Sequence, residues 1–186
     1  MTGIRKACPA DAAAIARVHV ETWRSAYAGV LPDAYLVSMS CERRLAHWRQ
    51  TLTVSRHREP VLVAEDGAAE VIGFASFGAA RRSGLPVDLP YDGEIFSLYV
   101  LPDYQGRGLG RALMEAGFKG LARAGRRAAI VWVVAANPAR FFYERMGGRL
   151  VAERSERFAG AELPEYAYGW QRLVIGAAAR DGKSAI

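Results

Sequence analysis

The chain has 186 residues, 51% of them hydrophobic, which is enough to bury one core and gives no sign of a second domain. Its formal net charge is +6 at pH 7, but the basic residues are mostly scattered arginines, so a nucleic-acid-binding function is disfavoured. Two cysteines, Cys8 and Cys41, are too few for a disulfide framework, and no apolar run reaches membrane-spanning length.

The first residues predict a short strand followed by a helix. They contain no hydrophobic leader, so we expect a mature protein in the reducing cytoplasm. Residues 4–7 form the predicted strand, and Asp11 is placed to cap the helix after it. The inward side of that helix consists of residues at helical spacing, namely Ile15, Val18, Thr22 and Trp23.

A second helical region is predicted after the break at residues 29–33, and it continues to about Leu52. The two regions together carry four large aromatic residues, Trp23, Tyr27, Tyr35 and Trp48. We expect most of them to anchor the core. His19, His47 and His57 fit neither the H-x-x-H nor the H-E-x-x-H pattern, so no metal site is predicted.

The middle of the chain predicts a hairpin and then an irregular loop. Strands at 61–65 and 71–78 flank Asp66 and Gly67, a pair typical of hairpin turns. Residues 81–93 contain too many glycines, prolines and aspartates for regular structure, so they predict an exposed loop.

The most informative stretch is a strand at 94–101 that leads through a glycine-rich loop into a helix. Pro102 ends the strand, the loop contains Gly106, Gly108 and Gly110, and helical spacing resumes at about residue 108. A helix that starts inside such a loop presents backbone N–H groups without internal partners, together with the positive end of the helix dipole. The loop therefore predicts an anion site.

Two common phosphate-binding motifs fit this loop poorly. The Walker loop requires a lysine followed by serine or threonine after the glycines, and this chain has neither there. The dinucleotide fingerprint G-x-G-x-x-G requires glycine at position 111 or 113, where the chain has arginine and leucine. A turn and helix start without any ligand remains open at this point.

The region after the loop predicts a β-α-β unit. The helix at 108–123 is followed by an uninterrupted apolar run at 128–136, which is typical of a strand buried on both faces. Asn137 is placed to cap the next helix, with Pro138 at its first position and Gly147 closing it.

The end of the chain predicts two further strands, at 149–158 and 165–174, joined by a loop around Pro164. The last strand places three alternating aromatics on one face, Tyr166, Tyr168 and Trp170. We predict one domain over residues 3–175 and a disordered tail over residues 176–186.

Two motifs resemble the GNAT superfamily of N-acetyltransferases. Gln105, Gly108 and Gly110 fill the pattern Q-x-x-G-x-G directly after a strand, like that family's acetyl-CoA pyrophosphate loop. The run at 137–148 resembles its last conserved helix, in which Phe-Tyr-Glu is followed by glycine. The resemblance implies a single-domain α/β fold in the order β-α-α-β-β-β-α-β-α-β-β. In that fold a central mixed, mostly antiparallel sheet contains a parallel β-α-β acetyl-CoA unit and is flanked by helices.

The resemblance also implies a reaction, the transfer of an acetyl group from acetyl-CoA to an amine without a metal. A lysine-like amine has a pKa of about 10.4, so most of it is protonated at neutral pH and a base is needed. Glu94, at the start of the central strand, stands where many members place this base; a solvent-facing strand-end glutamate is the alternative. Tyr143 stands where the family's tyrosine protonates the departing thiolate; packing against the cofactor without proton transfer is the alternative.

The same resemblance implies which residues hold the cofactor. The backbone N–H near Leu98 would polarise the thioester carbonyl, and Val100 would pair with the pantetheine arm. Asn137 would contact the same arm, although it lies one residue closer to Tyr143 than in the commoner family spacing. The pyrophosphate loop would be formed by Gln105, Gly106, Arg107, Gly108, Leu109, Gly110 and Arg111.

The sequence leaves the acceptor open among small amines, amino acids, aminoglycoside-like antibiotics, and protein lysines or N-termini. We expect the 81–93 loop and the aromatics around Trp23 and Tyr27 to border its site. A non-catalytic acyl-CoA-binding sensor is the alternative function, but it would not need Glu94 and Tyr143, and both are present. The expected partners are acetyl-CoA and the amine, without membrane or nucleic acid, and a homodimer is left open.

Overall fold

A computed structural model describes residues 2–54, 59–81, 89–158 and 160–173. The fold is a seven-stranded sheet with helices on both faces. The strands are β1 (Gly3–Lys6), β2 (Val61–Glu65), β3 (Val71–Ala79), β4 (Gly93–Val100), β5 (Ala129–Val134), β6 (Arg149–Phe158) and β7 (Ala161–Trp170). The helices are α1 (Ala12–Ala26), α2 (Asp33–Ser38), α3 (Cys41–Thr53), α4 (Leu109–Arg123) and α5 (Arg140–Arg145).

The sheet confirms the predicted mixed α/β fold. Its strand order is β1-β2-β3-β4-β5-β7-β6, and among the described strands β4 and β5 form the parallel pair while the other neighbours are antiparallel. Helix α4 connects β4 to β5, which completes the predicted β-α-β unit. None of the described helices has both the length and the apolar composition needed to cross a bilayer.

The helices are divided between the two faces of the sheet. On β3, the Phe74 ring packs against Trp48 of α3, with centroids 4.9 Å apart, and against His19 of α1 at 6.0 Å. A side chain at neighbouring Gly73 would instead come within 3.4 Å of Leu113 of α4. Because successive strand residues point to opposite faces, α1 and α3 cover one face, here called the α1 face, and α4 covers the other, the α4 face.

Helix α5 also lies on the α4 face, because Tyr143 shares a buried cluster with Met114 and Phe118 of α4. Helix α4 packs closely on the sheet. At Gly120 an added Cβ would overlap the ring of Phe77, so the approach of α4 to β3 requires glycine there.

Two predictions about the N-terminal helices were wrong in detail. Asp11 is the N-cap residue of α1, but its side chain makes no capping hydrogen bond to that helix. Its carboxylate instead accepts the Cys8 N–H at 2.7 Å and two guanidinium N–H groups of Arg5, each at 2.8 Å. The second helical region is two helices rather than one. Ser40 separates them and caps α3 by accepting the N–H groups of Glu42 and Arg43.

The last strand also differs from its prediction, because β7 begins at Ala161 and ends at Trp170. Pro164, predicted in a loop, lies inside this strand. Its carbonyl accepts the Ala135 N–H at 2.8 Å just beyond the end of β5, and its nitrogen faces the same side. The N–H group that proline lacks would therefore point beyond the end of the β5 ladder, so its absence removes no hydrogen bond from that ladder. The predicted tail and most of the 81–93 loop lie outside the described residues.

Candidate active site

The site begins with a gap between β4 and β5. The parallel ladder uses Gly93–Ile95 of β4, although that strand continues to Val100. The register against β3 shifts so that Phe96 is an extra residue, a β-bulge. A bulge bends its strand and increases the local twist. Beyond the bulge the two strands separate and leave a gap in the sheet.

A cavity of about 630 Å³ passes through this gap. On the α1 face it is lined by residues of α1 and the turn after it, namely Thr22, Ser25, Ala26 and Tyr27. On the α4 face it is lined by the glycine loop and by α5 with its flanking residues, including Gly106, Gly108, Gly110, Arg111, Asn137, Phe142 and Tyr143. The cavity therefore connects the two faces, and its volume lies within the range of about 300–1,000 Å³ typical of small-molecule sites.

The backbone of β4 faces the gap at the predicted positions. The Leu101 N–H donates to the Ile72 carbonyl of β3 at 2.9 Å. Since alternate residues of an antiparallel strand bond to the same neighbour, the N–H and C=O groups of Leu98 and Val100 point away from β3, towards the gap. The Val100 carbonyl accepts the Gln105 side-chain amide at 3.0 Å. Both residues line the cavity.

The glycine loop presents unpaired backbone donors. Helix α4 begins at Leu109 with Gly108 as its N-cap, and its first internal bond runs from the Ala112 N–H to the Gly108 carbonyl at 3.0 Å. The N–H groups of residues 109–111 precede that bond and have no partner within the helix. Gly106 and Gly108 have φ angles of 73° and 80°, which favour glycine.

The side chains of the glycine loop differ in what they contact. The Gln105 amide ties the loop back to β4, as described above, and Leu109 is buried in the core. Arg107 is exposed and lies over the Tyr104 ring, 5.2 Å from its centroid. Arg111 lines the cavity and lies 3.8 Å from Glu115. Of the predicted loop residues, Gln105, the three glycines and Arg111 line the cavity, and the Gln105 side chain also ties the loop to Val100.

Tyr143 is held on α5 by the turns at the two ends of this helix. The Asn137 Oδ1 accepts the Ala139 N–H at 2.9 Å in the turn that precedes α5. The prediction that Asn137 caps the helix with Pro138 at its first position was wrong, because α5 begins at Arg140 with Ala139 as its N-cap. Gly147, at φ 82°, ends the helix, and the Gly148 N–H donates to the Tyr143 carbonyl at 3.0 Å. Tyr143 is buried and lines the cavity. Burial raises the pKa of its hydroxyl above the ordinary value, so this group is protonated at neutral pH.

Glu94 lies on the α1 face, since its neighbour Ile95 faces α4 through Gly117. It does not face solvent: its side chain is 7% exposed and accepts the Arg81 N–H at 2.8 Å. Burial raises the pKa of this carboxyl, against the opposing effects of Arg81 and Arg154. The residues that line the cavity include Phe96 but not Glu94.

Several cavity residues were not predicted as site residues. Thr22, Tyr99, Trp132 and Phe142 line it. Phe142 belongs to the Phe-Tyr-Glu motif and Tyr99 to the strand before the glycine loop, whereas Thr22 and Trp132 belong to no sequence motif. Of the two aromatics expected to border the acceptor site, Tyr27 lines the cavity and Trp23 does not. Trp48, expected to anchor the core, is buried there. Trp23 donates its indole N–H to the Tyr99 hydroxyl at 2.9 Å. Thr22 and Trp132 reach the cavity only through tertiary packing, for which their local sequence contains no signal.

Comparisons with known proteins agree with this geometry. The chain is 36% identical over 173 residues to an uncharacterized N-acetyltransferase, YuaI, of Bacillus subtilis, which covers 93% of this chain and 95% of that protein. A GCN5-related N-acetyltransferase from Rhodopseudomonas palustris superposes with a TM-score of 0.69 at 22% identity, over 91% of this chain and 94% of that one.

The acetyltransferase yncA of Salmonella typhimurium, solved with its cofactor acetyl-CoA, superposes with a TM-score of 0.67 at 26% identity, over 96% of this chain and 97% of that one. The family model described as the acetyltransferase (GNAT) family matches residues 18–148. Among the described residues no group of three or more His, Cys, Asp or Glu side chains is placed to hold a metal ion. The chain therefore belongs to the GNAT family of N-acetyltransferases, which use acetyl-CoA as the acetyl donor.

Proposed function

We propose that this enzyme transfers the acetyl group directly to a primary amine, with acetyl-CoA entering from the α4 face and the amine from the α1 face. The observation that carries the proposal is the cavity that crosses the sheet between β4 and β5. Anion-binding donors lie at its α4 end, and a buried carboxylate lies on the α1 face. Two reactants that enter from opposite faces can meet in the gap.

The residues on the α4 face fit acetyl-CoA, which supplies the thioester. The free N–H groups of residues 109–111 suit its pyrophosphate, because they combine unpaired donors with the positive end of a helix. The backbone groups of Leu98 and Val100 face the gap, where they would hold the thioester and the pantetheine arm. A Cβ at Gly110 would lie 3.5 Å from the Phe142 ring, so α5 closely flanks the loop.

Tyr143 would act on the leaving group. When the amine nitrogen bonds to the acetyl carbon and the carbon–sulfur bond breaks, the thiolate needs a proton. Tyr143 lines the cavity on this face, and its raised pKa keeps its hydroxyl protonated until that step.

Glu94 would accept the proton that the amine releases. Its carboxylate accepts the Arg81 N–H and does not line the cavity. We therefore infer that it acts on the amine through a water molecule rather than by direct contact. A carboxyl whose pKa is raised towards neutrality is a stronger base than an exposed one.

The Glu94→Gln variant tests this role through the pH dependence of kcat/KM. A base must be deprotonated to act, so kcat/KM falls as the pH drops through the pKa of Glu94. Burial raises that pKa, so this fall, the acidic limb of the pH profile, should lie at a higher pH than for an ordinary glutamate. Glutamine cannot titrate, so the limb should disappear and the plateau rate should fall by a factor of about 10²–10⁴.

The control for this variant is Glu153→Gln, at an exposed glutamate on β6. It makes the same change in charge away from the cavity and should leave the profile unchanged. A Glu94→Gln enzyme that keeps the wild-type profile would remove Glu94 from the mechanism without affecting the acetyl-CoA site.

The proposed function itself is tested by measuring release of the free thiol from acetyl-CoA in the presence of a library of primary amines. We expect at least one class of amine to be acetylated, with the acetyl group recovered on nitrogen. Acetyl-CoA binding without turnover of any amine would indicate an acyl-CoA sensor instead.

A further inference from the structure

The α1 end of the cavity contains a buried hydroxyl without a partner. Thr22 is 5% exposed and lines the cavity, and its Oγ1 has no hydrogen bond within the described part of the chain. A threonine in a helix can donate to the carbonyl four residues earlier, but this one does not. Buried hydroxyl groups are normally paired, so an unpaired one that faces a cavity indicates a ligand atom.

Tyr99 offers a second donor on the same face. Its hydroxyl oxygen accepts the indole N–H of Trp23 at 2.9 Å. An indole nitrogen only donates, so the hydrogen of the Tyr99 hydroxyl remains free to donate elsewhere. Tyr99 lines the cavity, and burial raises the pKa of its hydroxyl, which keeps that hydrogen in place at neutral pH.

The arginines near these donors differ in whether a carboxylate pairs with them. Arg154 pairs with Glu165 at 2.7 Å and lies 3.6 Å from Glu156, and Arg81 lies 3.9 Å from Glu94. Arg44 lies over the Trp23 ring, 5.5 Å from its centroid, and forms no ion pair with any carboxylate in the described ranges.

His19 beside this ring does not add to the charge. It is buried between Trp23 and Tyr99, and burial lowers its pKa to about 3, so it is neutral at physiological pH. The guanidinium of Arg44, which lies outside the cavity lining, is therefore a positive charge on this side that no carboxylate of the described residues pairs with. Two free hydroxyl donors beside an uncompensated cation suit an anionic oxygen group and disfavour a second positive charge.

We propose that the acceptor carries a carboxylate beside its amine, as an amino acid does, that Thr22 and Tyr99 donate hydrogen bonds to it, and that Arg44 provides the complementary charge. This inference rests on the proposed function, because it assigns the acceptor of the same reaction. Thr22, Tyr99 and Arg44 are then specificity-determining residues, distinct from Glu94 and Tyr143.

The test compares a panel of L-amino acids with their decarboxylated amines, for example leucine with isopentylamine, at saturating acetyl-CoA. A site built to hydrogen-bond a substrate group discriminates strongly against the analogue that lacks it. We expect kcat/KM for the best amino acid to exceed that of its decarboxylated amine by a factor of about 10² or more.

Variants assign the preference to these residues. Thr22→Val keeps the side-chain shape and removes the donor, and Arg44→Gln removes the charge. Each should raise KM for the amino acid by about tenfold, the value of one hydrogen bond to a charged group, and leave the decarboxylated amine unaffected. Arg43→Gln, at the exposed neighbour on α3, makes the same change in charge and should alter neither substrate.

The outcomes separate this inference from the proposed function. Equal efficiency with amino acids and decarboxylated amines, or equal losses for both in Thr22→Val, would overturn the inference and leave the acetyltransferase function intact. Acetylation of no amine at all, with acetyl-CoA still bound, would overturn both. A melting-temperature shift by acetyl-CoA in each variant confirms that it is folded.

Discussion

Replacing Tyr143 with phenylalanine is expected to lower kcat by a factor of about 10²–10⁴, the usual contribution of a general acid. The ring and its packing in the α4-face cluster are kept, and only the hydroxyl is removed. The affinity for acetyl-CoA should therefore stay nearly constant. Steady-state rates together with a direct binding measurement separate the two effects.

The matched control is Tyr166→Phe, because Tyr166 packs against the same cluster but does not line the cavity. It should leave kcat within about twofold of the wild type. A loss below about threefold in Tyr143→Phe would assign Tyr143 to packing alone, since general acid catalysis normally contributes at least 10².

Replacing Gly108 with leucine is expected to abolish the stabilisation that acetyl-CoA gives to the folded protein. A ligand present at about 100 times its Kd adds about 2.7 kcal/mol to the free energy of unfolding. Gly108 is the N-cap of α4 at φ 80° and lines the cavity, so a side chain there strains the turn and obstructs the unpaired N–H groups. Thermal unfolding with and without acetyl-CoA measures the loss.

Gly125→Leu controls for the strain alone. Gly125 follows the other end of α4 at φ 78°, and at both glycines an added Cβ would meet nothing within 4 Å. Each substitution should therefore cost a similar amount, about 1–2 kcal/mol, through the left-handed backbone. Only Gly108→Leu should lose the response to acetyl-CoA. If both variants respond like the wild type, the pyrophosphate does not bind at this loop.

The parts of the fold that the sequence predicted well are those set by local chemistry. Pro102 and the three glycines mark the end of β4 and the start of α4 whatever surrounds them, and Gly147 ends α5 through its own backbone conformation. The apolar run of β5 could be identified as a buried strand for a similar reason.

The parts that could not be predicted depend on partners distant in sequence. Aspartate is a residue type that commonly caps helices, but the Asp11 carboxylate forms its hydrogen bonds with Arg5 and the Cys8 N–H. The gap arises from a bulge at Phe96, which only the register of β3 reveals. Thr22 resembles any residue on the inward side of α1 until packing leaves its hydroxyl unpaired.

The gap between β4 and β5 also limits how the two reactants can influence each other. If each enters from its own face, they touch only where the strands separate, so direct contact between the two reactants is confined to that opening. Coupling is reciprocal, so acetyl-CoA changes the affinity for the amine by the same factor by which the amine changes the affinity for acetyl-CoA. The bulge at Phe96 thus opens the sheet at the place where the two bound reactants would meet.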